Sequence, residues 1–238
     1  MQGEHFGPID GPDESLRDER KFMLGEPKSS VVEVFADIWC PFTHVGLRAI
    51  DEQRVLTGRS DTLIRVRAWP LELVNGAPLS ATVTQEHIDH LREQVAPMLF
   101  RGFDSQRFPT STLEALALVA RAYRADVKVG EQASFALRDA LFEHGQDISD
   151  RGVLEEIAAE LGIDMPSRAD HDAVLDDWHE GQRRGVLGSP HFFCGGADTF
   201  CPSLDIAKNP ERGVSITRDT SRLRAFLERC FEGSTEQG

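Results

Sequence analysis

The sequence has few cysteines, few basic residues and no long apolar run. Four cysteines in 238 residues are too few for a disulfide scaffold. The 26 Lys and Arg are outnumbered by 40 Asp and Glu, and the net charge of −14 disfavours nucleic acid and anionic membranes as partners. No apolar run is long enough to span a bilayer. The remaining composition, 40% hydrophobic and 28% charged, is normal for a soluble globular protein.

The N-terminal stretch also lacks the basic and apolar regions of a secretory signal peptide. We therefore expect a cytoplasmic protein, in which thiols are mostly kept reduced and any disulfide is transient. Residues 1–30 are acidic and rich in Gly and Pro, so we expect a flexible N-terminal strap there, and a disordered tail at 232–238.

The first part of the chain predicts a βαβ unit. The β-branched run from Val31 to Ala36 indicates a buried strand, and Pro41 suits the first position of a helix that extends to about Leu56. A second apolar run, from Thr62 to Trp69, indicates another strand. Two strands joined through a helix in this way lie parallel.

The rest of the chain predicts helices followed by a hairpin. Helical patterns fill a segment at about 75–186. Short strands return at His191 to Cys194 and at Thr199 to Cys201, and a closing helix runs from about Arg218 to Phe231. We therefore expect one α/β domain over 31–231, consisting of the βαβ unit, the β-hairpin and the C-terminal helix, with a large all-helical insertion.

The stretch "DIWCPFTH" has the form of the redox motif C-x-x-C with threonine at the second cysteine position, Thr43. Cys40 lies at a strand-to-helix junction, where the helix dipole stabilises negative charge, so we expect a reactive thiolate with a pKa below the free value of about 8.5. The Thr43 hydroxyl can donate a hydrogen bond to that thiolate without reacting. The alternative is a structural cysteine, since free cysteines are common in protein cores.

The stretch "GVLGSPHFF" places Ser189-Pro190 at the start of the strand that follows the insertion. Taken together with the Cys-Pro turn after the first strand, it predicts a cis Ser189–Pro190 bond that faces Cys40. The Ser189 backbone can then pair with an extended thiol substrate.

From about Val31 to Phe231 the chain resembles the DsbA-type branch of the thioredoxin superfamily. This branch includes the FrnE-like oxidoreductases, the 2-hydroxychromene-2-carboxylate isomerases and the kappa-class glutathione transferases. The resemblance rests on four motifs, which are "CPFT", "WPLEL", "GQDISDRGVL" and "GVLGSPHFF". It implies a thioredoxin-like fold, and it is common to several activities.

The resemblance implies roles for three residues. Cys40 matches the attacking cysteine of the oxidoreductases, a position that is serine in the transferases and isomerases, and Pro190 matches their cis-proline. Thr43 falls on the resolving cysteine and departs from the pattern. A two-cysteine site resolves its mixed disulfide internally, and Thr43 cannot do this.

Further candidates surround these three residues. His44 as an imidazolium would stabilise a Cys40 thiolate, or it is a solvated side chain at a helix start. Trp69 lines the cleft or belongs to the core. The candidate thiol-binding residues are Pro41, Phe42, Trp69, Pro70, Ser189, His191 and Cys201.

The sequence leaves three possible states open for Cys201. In a thioredoxin-like fold it borders the active-site groove, so it is a candidate to resolve for Cys40. It can instead pair with Cys194 across the hairpin, or all three remain thiols. The position of Cys230 on the last helix predicts that this residue belongs to the core.

Three functions remain open. The first is a monothiol DsbA-like oxidoreductase that works with a low-molecular-weight thiol, glutathione or mycothiol. The second is an enzyme like the kappa-class transferases or the isomerases, in which Cys40 polarises the sulfur of a thiol cofactor. The third is a redox-inactive binding module. We expect a small-molecule thiol or disulfide as the partner, no metal, and either a monomer or a homodimer.

Overall fold

The computed structural model describes residues 31–209 and 213–232 of the chain. Strand β1 (Val31–Ala36) leads through a turn into helix α1 (Pro41–Leu56), and strand β2 (Leu63–Ala68) follows. β1 and β2 pair in parallel along their whole length. The predicted βαβ unit is therefore confirmed. The expected strap at 1–30 and the expected tail beyond residue 232 lie outside the described residues.

Helices fill the chain between β2 and the next strand, as the sequence predicts. The last of them begins at a capping box in which Ser167 and Asp170 exchange hydrogen bonds. In order, the helices are α2 (Leu71–Asn75), α3 (Ala81–Gln94), α4 (Leu113–Ala125), α5 (Val127–Phe142), α6 (Arg151–Glu160) and α7 (Arg168–Arg183).

A hairpin and a final helix complete the predicted fold. Strands β3 (His191–Cys194) and β4 (Ala197–Phe200) join through Gly195 and Gly196, whose positive φ angles of 56° and 81° suit glycine. β3 pairs antiparallel with β1, and the sheet order is β2-β1-β3-β4. Helix α8 (Thr220–Glu232) closes the described chain.

Helices cover both faces of this sheet. On one face the apolar side chains of β1 and β3 pack against α1 and α8 in a core that includes Val34, Phe192 and Phe226. On the other face α7 lies so close that a Cβ on Gly181 would stand 2.5 Å from the Trp69 ring. Two-sided burial explains why every residue of β1 except Glu33 is apolar.

A second hairpin was not predicted from the sequence. Strands β5 (Leu204–Asn209) and β6 (Gly213–Arg218) form a separate two-stranded sheet. It packs on α3, where the Gln94 side chain accepts from the Ile216 N–H at 2.7 Å and donates to a β6 carbonyl at 3.2 Å. The closing helix consequently begins at Thr220, after the strand that occupies the expected start.

Among the described residues, no helix combines the length and the apolar character that crossing a bilayer requires.

Candidate active site

Cys40 occupies the N-cap of α1, directly after the turn that follows β1. Pro41 is the first helical residue, where its missing N–H leaves no hydrogen bond unmade. The Cys40 carbonyl accepts from the backbone N–H groups of Thr43 at 3.1 Å and His44 at 3.2 Å. The Cys40 residue is only 4% exposed. The local sequence thus places the sulfur at a helix N-terminus, and a cover from a distant part of the chain buries it.

The loop before β3 supplies that cover. The Ser189–Pro190 peptide bond is cis, as predicted. The Cys40 thiol donates to the Ser189 carbonyl at 3.1 Å. The Ser189 hydroxyl accepts from the Asp37 N–H at 2.9 Å and lies 2.8 Å from the Thr43 hydroxyl. Two segments about 150 residues apart therefore meet at the sulfur.

Thr43 is fully buried and stands where a dithiol site has its second cysteine. Since Ser189 Oγ already accepts from a backbone N–H, its own proton is available for Thr43 Oγ1. The Thr43 hydroxyl proton is then free for the Cys40 sulfur, a hydrogen bond that favours the thiolate. This arrangement agrees with the role expected for Thr43.

The expected low pKa of Cys40 is wrong for this structure. Burial raises the pKa of the Cys40 thiol above its ordinary value, although hydrogen bonds with Thr43 and Ser189 act in the opposite direction. The nearby Asp37 carboxylate raises this pKa further. Desolvation disfavours the charged form more than the helix N-terminus favours it. The resting sulfur is therefore a thiol, consistent with its hydrogen bond to a carbonyl.

The expected imidazolium at His44 is also not found. Burial lowers the pKa of His44, although its hydrogen bond to Glu143, 2.8 Å from Nε2, opposes this. The ring lies between Phe100 and Phe142, with centroid distances of 5.2 and 5.0 Å. A neutral His44 that donates to Glu143 holds helices α1 and α5 together and brings no positive charge to the sulfur.

A buried pair of charged residues near Cys40 was missed by sequence reasoning. Asp37 and Arg138 are both 0% exposed. An Arg138 nitrogen donates to the Asp37 backbone carbonyl at 3.1 Å. The Asp37 carboxylate accepts from the backbone N–H groups of Ile38 and Leu71. An arginine among the apolar residues of "SFALRDALF" was the available signal.

Cys201 lies beside the same loop and is a free, buried thiol. Its N–H donates to the Pro190 carbonyl at 3.0 Å, and its φ of 45° is in the left-handed region. Burial raises the pKa of Cys201 to about 12, and negative charge on Cys40 contributes to this shift. Cys40 and Cys201 therefore both contact the Ser189–Pro190 loop, and the role of Cys201 as a resolving thiol stays a prediction.

The structure pairs Cys194 with Cys230, which corrects three expectations, because Cys194 is neither a free thiol nor the partner of Cys201 and Cys230 is not a core thiol. These residues form a disulfide with a Cα–Cα distance of 5.2 Å. Cys194 therefore does not pair with Cys201, because the register places Ala197 opposite Cys194 in the hairpin. Cys230 is buried as expected, yet it is not a core thiol. The bond connects the end of β3 to α8.

Two further candidate residues lie near the start of α1. Phe42 is half-buried, and its ring centroid is 5.2 Å from that of His87 on α3. Pro70 is buried and caps α2, whose first N–H, that of Leu71, donates to Asp37 at 2.6 Å. Pro70 therefore lies one residue from the Asp37 contact, at the edge of the site.

Trp69 and His191 lie elsewhere. Trp69 is 5% exposed and packs edge-on to Phe35 beneath α7, which is the core position that the sequence left open. The His191 ring accepts from the Leu187 N–H at 3.1 Å and bonds Asp198 at 2.9 Å. Both ring nitrogens of His191 are therefore engaged in holding the β3–β4 hairpin and the segment before it.

In the part of the chain that the structure describes, no three His, Cys, Asp or Glu side chains group as a metal site.

Two solved structures have a similar fold. One is a 2-hydroxychromene-2-carboxylate isomerase, with a TM-score of 0.52 and 17% identity over 71% of this chain and 88% of its own. The other is the cytosolic disulfide reductase DsbM from Pseudomonas aeruginosa with GSH, with a TM-score of 0.52 and 18% identity over 83% of this chain and 97% of its own. At such identities the likeness concerns the fold alone. No curated protein sequence matches the chain.

A family model matches most of the chain. The match covers residues 31–209 and includes β1, the Cys40 turn, all the inserted helices and the Ser189–Pro190 loop. The expected resemblance is thereby confirmed, and the chain belongs to the family of DSBA-like thioredoxin domains.

Proposed function

We propose that the protein is a thiol-disulfide oxidoreductase with Cys40 as its single attacking thiol, resolved by a low-molecular-weight thiol. One observation carries the proposal. Cys40 stands at a helix N-terminus against the Ser189 carbonyl, with the hydroxyl of Thr43 where a second thiol would resolve a mixed disulfide. The site keeps the attacking group and replaces the resolving one.

The proposed reaction begins when the Cys40 thiol releases its proton to solvent and the resulting thiolate attacks one sulfur of a substrate disulfide. A bond forms between Cys40 and that sulfur, and the other sulfur leaves as a thiolate and takes up a proton. Thr43 donates to the ionised Cys40 sulfur, which no longer has a proton to give to the Ser189 carbonyl. The hydrogen bond from Cys40 to the Ser189 carbonyl is thus made only by the thiol. Contact between the Cys40 thiolate and the approaching disulfide replaces it.

External thiols complete the turnover. One small thiol attacks the Cys40 sulfur of the mixed disulfide and releases the second substrate thiol. A second small thiol attacks the resulting adduct, which restores Cys40 and yields an oxidised dimer of the small thiol. The two electrons that reduce the substrate thus come from two small thiols, and turnover depends on their concentration.

Glutathione is the first thiol to test. The Pseudomonas aeruginosa reductase of similar fold is described with GSH, and mycothiol is the second candidate. A reducing cytoplasm would maintain a supply of such a thiol. We therefore also propose a cytoplasmic location and a small-molecule thiol or disulfide as the partner.

The experiment is mass spectrometry of the protein after incubation with oxidised glutathione. We expect one glutathione adduct, on Cys40, which reduced glutathione removes. Cys40→Ser should form none, and Cys201→Ser, the matched loss of the other free thiol, should still form it. Absence of an adduct on Cys40 in the folded protein would contradict the proposal.

The buried, protonated state of Cys40 favours one alternative, a transferase or isomerase that uses a thiol cofactor. A thiol hydrogen that donates at 3.1 Å to a carbonyl can instead donate to a cofactor sulfur and polarise it. This alternative predicts that glutathione reacts with an electrophile in the presence of the protein while no adduct forms on Cys40. If neither a product nor an adduct forms, the remaining explanation is a redox-inactive binding module.

A further inference from the structure

Arg138 is a buried cation without a carboxylate partner among the described ion pairs. One of its terminal nitrogens donates to the carbonyl and hydroxyl of Ser134 at 2.8 and 2.5 Å, and the other donates to the Asp37 carbonyl. Its Nε has no hydrogen-bond partner among the described residues. Burying a charge without a direct ion pair is costly, so a guanidinium in this position indicates a use for its charge.

Arg138 remains charged at neutral pH. Burial lowers its pKa to about 10, while negative charge on Asp37 and then on Cys40 acts to hold it up. The guanidinium contacts the Asp37 backbone and lies within electrostatic range of two groups that become anions, the Asp37 carboxyl and the Cys40 thiol. Its positive charge favours the ionised form of each.

Asp37 opposes Arg138 at the sulfur. Burial raises the pKa of Asp37 to about 6, against hydrogen bonds from Leu71, Thr112 and Ile38. At neutral pH Asp37 is mostly an anion, and its charge disfavours a second anion on Cys40. The Asp37 backbone also donates to the Ser189 hydroxyl, so this residue contacts the loop that holds the sulfur.

We propose that Arg138 and Asp37 are positioning residues of opposite charge that together set how readily the Cys40 sulfur loses its proton. Arg138 promotes the loss and Asp37 restrains it. Since Asp37 is already ionised in the pH range where Cys40 loses its proton, its restraint acts throughout that titration. The insertion helix α5 thereby supplies the positive charge that His44 does not.

Other charged and titratable groups face this pair from neighbouring elements. Tyr123 on α4 has a pKa raised by burial, and its hydroxyl is bonded to the backbone of β2. Asp139 on α5 is paired with Arg48 on α1. Cys201 has a pKa near 12. Because Tyr123 and Cys201 stay protonated at neutral pH, we assign the charge change near pH 6 to Asp37 and the alkaline titration that alkylation reports to Cys40.

The test measures how the rate of Cys40 alkylation by iodoacetamide in the full chain depends on pH, with peptide mapping to separate Cys40 from the other cysteines. Arg138→Met should move the midpoint of this pH profile to higher pH by about one unit or more, and Asp37→Asn should move it to lower pH by a similar amount. A general loosening of the fold by these buried substitutions would not move the midpoint in opposite directions in the two variants. An unmoved midpoint in Arg138→Met, or an upward shift in Asp37→Asn, would overturn the proposal.

Arg54→Met is the matched control. Arg54 is also largely buried and also bonds α5, through Glu131 at 2.5 Å, but it lies about 20 Å further along α1 from Cys40. We expect the midpoint of Cys40 alkylation in Arg54→Met to equal that of the starting protein. If Arg138→Met does not fold, seen as rapid alkylation of the buried Cys201, a downward shift in an Asp37→Asn protein whose Cys201 stays as unreactive as in the starting protein decides alone.

The inference rests on the proposed role of Cys40 as the attacking thiol, but alkylation requires no turnover. If the midpoints do not move while oxidised glutathione still modifies Cys40, only the role of the charged pair is wrong. If the midpoints move and no glutathione adduct forms, the pair controls the thiol and the proposed disulfide chemistry is wrong.

Discussion

At the N-terminus of α1, Cys40 and Thr43 lie one helical turn apart and differ in what each can do with a disulfide. Cys40 can form a bond to sulfur, whereas Thr43 can only donate or accept a hydrogen bond. The hydroxyl network with Ser189 occupies the place where a resolving thiol would stand. A mixed disulfide at Cys40 therefore has no partner within that turn that could release it.

Thr43→Cys should convert the site to dithiol chemistry. A second thiol one turn away is held at high effective concentration, so we expect insulin-disulfide reductase activity at least about tenfold above the starting protein. The same variant should depend less on added glutathione. Thr43→Ser, which keeps the hydroxyl and adds no thiol, is the control and should behave like the starting protein. A folded Thr43→Cys protein without this gain would favour the transferase or isomerase alternative.

At the scale of elements, helix α5 connects the insertion to the segment before α1 through Arg138, and to α1 itself through its C-cap residue Glu143. The Glu143 carboxylate accepts from His44 on α1 at 2.8 Å and from the backbone N–H groups of Phe100 and Arg101. Burial acts to raise the pKa of Glu143, but these hydrogen bonds hold it at about 2. One carboxylate thus joins α1, α5 and the segment that follows α3.

Glu143→Gln should lower the free energy of unfolding at pH 7 by about 1–3 kcal/mol, because hydrogen bonds to a charged acceptor are lost. The pKa of Glu143 is lower in the folded chain than in the unfolded chain. Its ionisation therefore stabilises the fold above pH 4.5, and this contribution is lost as the pH falls towards 2. Urea unfolding should show a smaller difference between the variant and the starting protein at pH 3.5 than at pH 7.

Glu93→Gln, on the exposed side of α3, is the control for Glu143→Gln and should show no such change with pH. An equal difference at both pH values would mean that the Glu143 charge does not contribute to stability in this way.

The elements that the sequence predicted are those with strong local signals. The apolar run of β1 and Pro41 at the start of α1 each identify an element without knowledge of its neighbours. Hairpin β5–β6 has only a short alternation of Leu204 and Ile206 with polar residues, and it was missed. The charge environment of Cys40 was not predictable from the sequence. Both the burial of Cys40 and the position of Arg138 depend on how a helix about 100 residues away packs.

At the scale of the whole molecule, the Cys194–Cys230 disulfide connects the central sheet to the last helix. The two residues are separated by 36 positions in sequence. A cross-link of this kind stabilises a protein mainly by restricting the unfolded chain. The segment that it encloses contains β4, Cys201 and the β5–β6 hairpin, so one side of the active site lies within the closed loop.

Cys194→Ala should lower the free energy of unfolding by about 2–4 kcal/mol in oxidising buffer. Dithiothreitol should bring the starting protein close to the variant, because both then lack the cross-link. Cys201→Ala removes a buried thiol that is not part of the disulfide, so the starting protein and this control should lose the same amount of stability on reduction. The measurement is urea unfolding with and without dithiothreitol. If the difference between Cys194→Ala and the starting protein persists undiminished after reduction, the stabilisation comes from the packing of the Cys194 side chain and not from the bond.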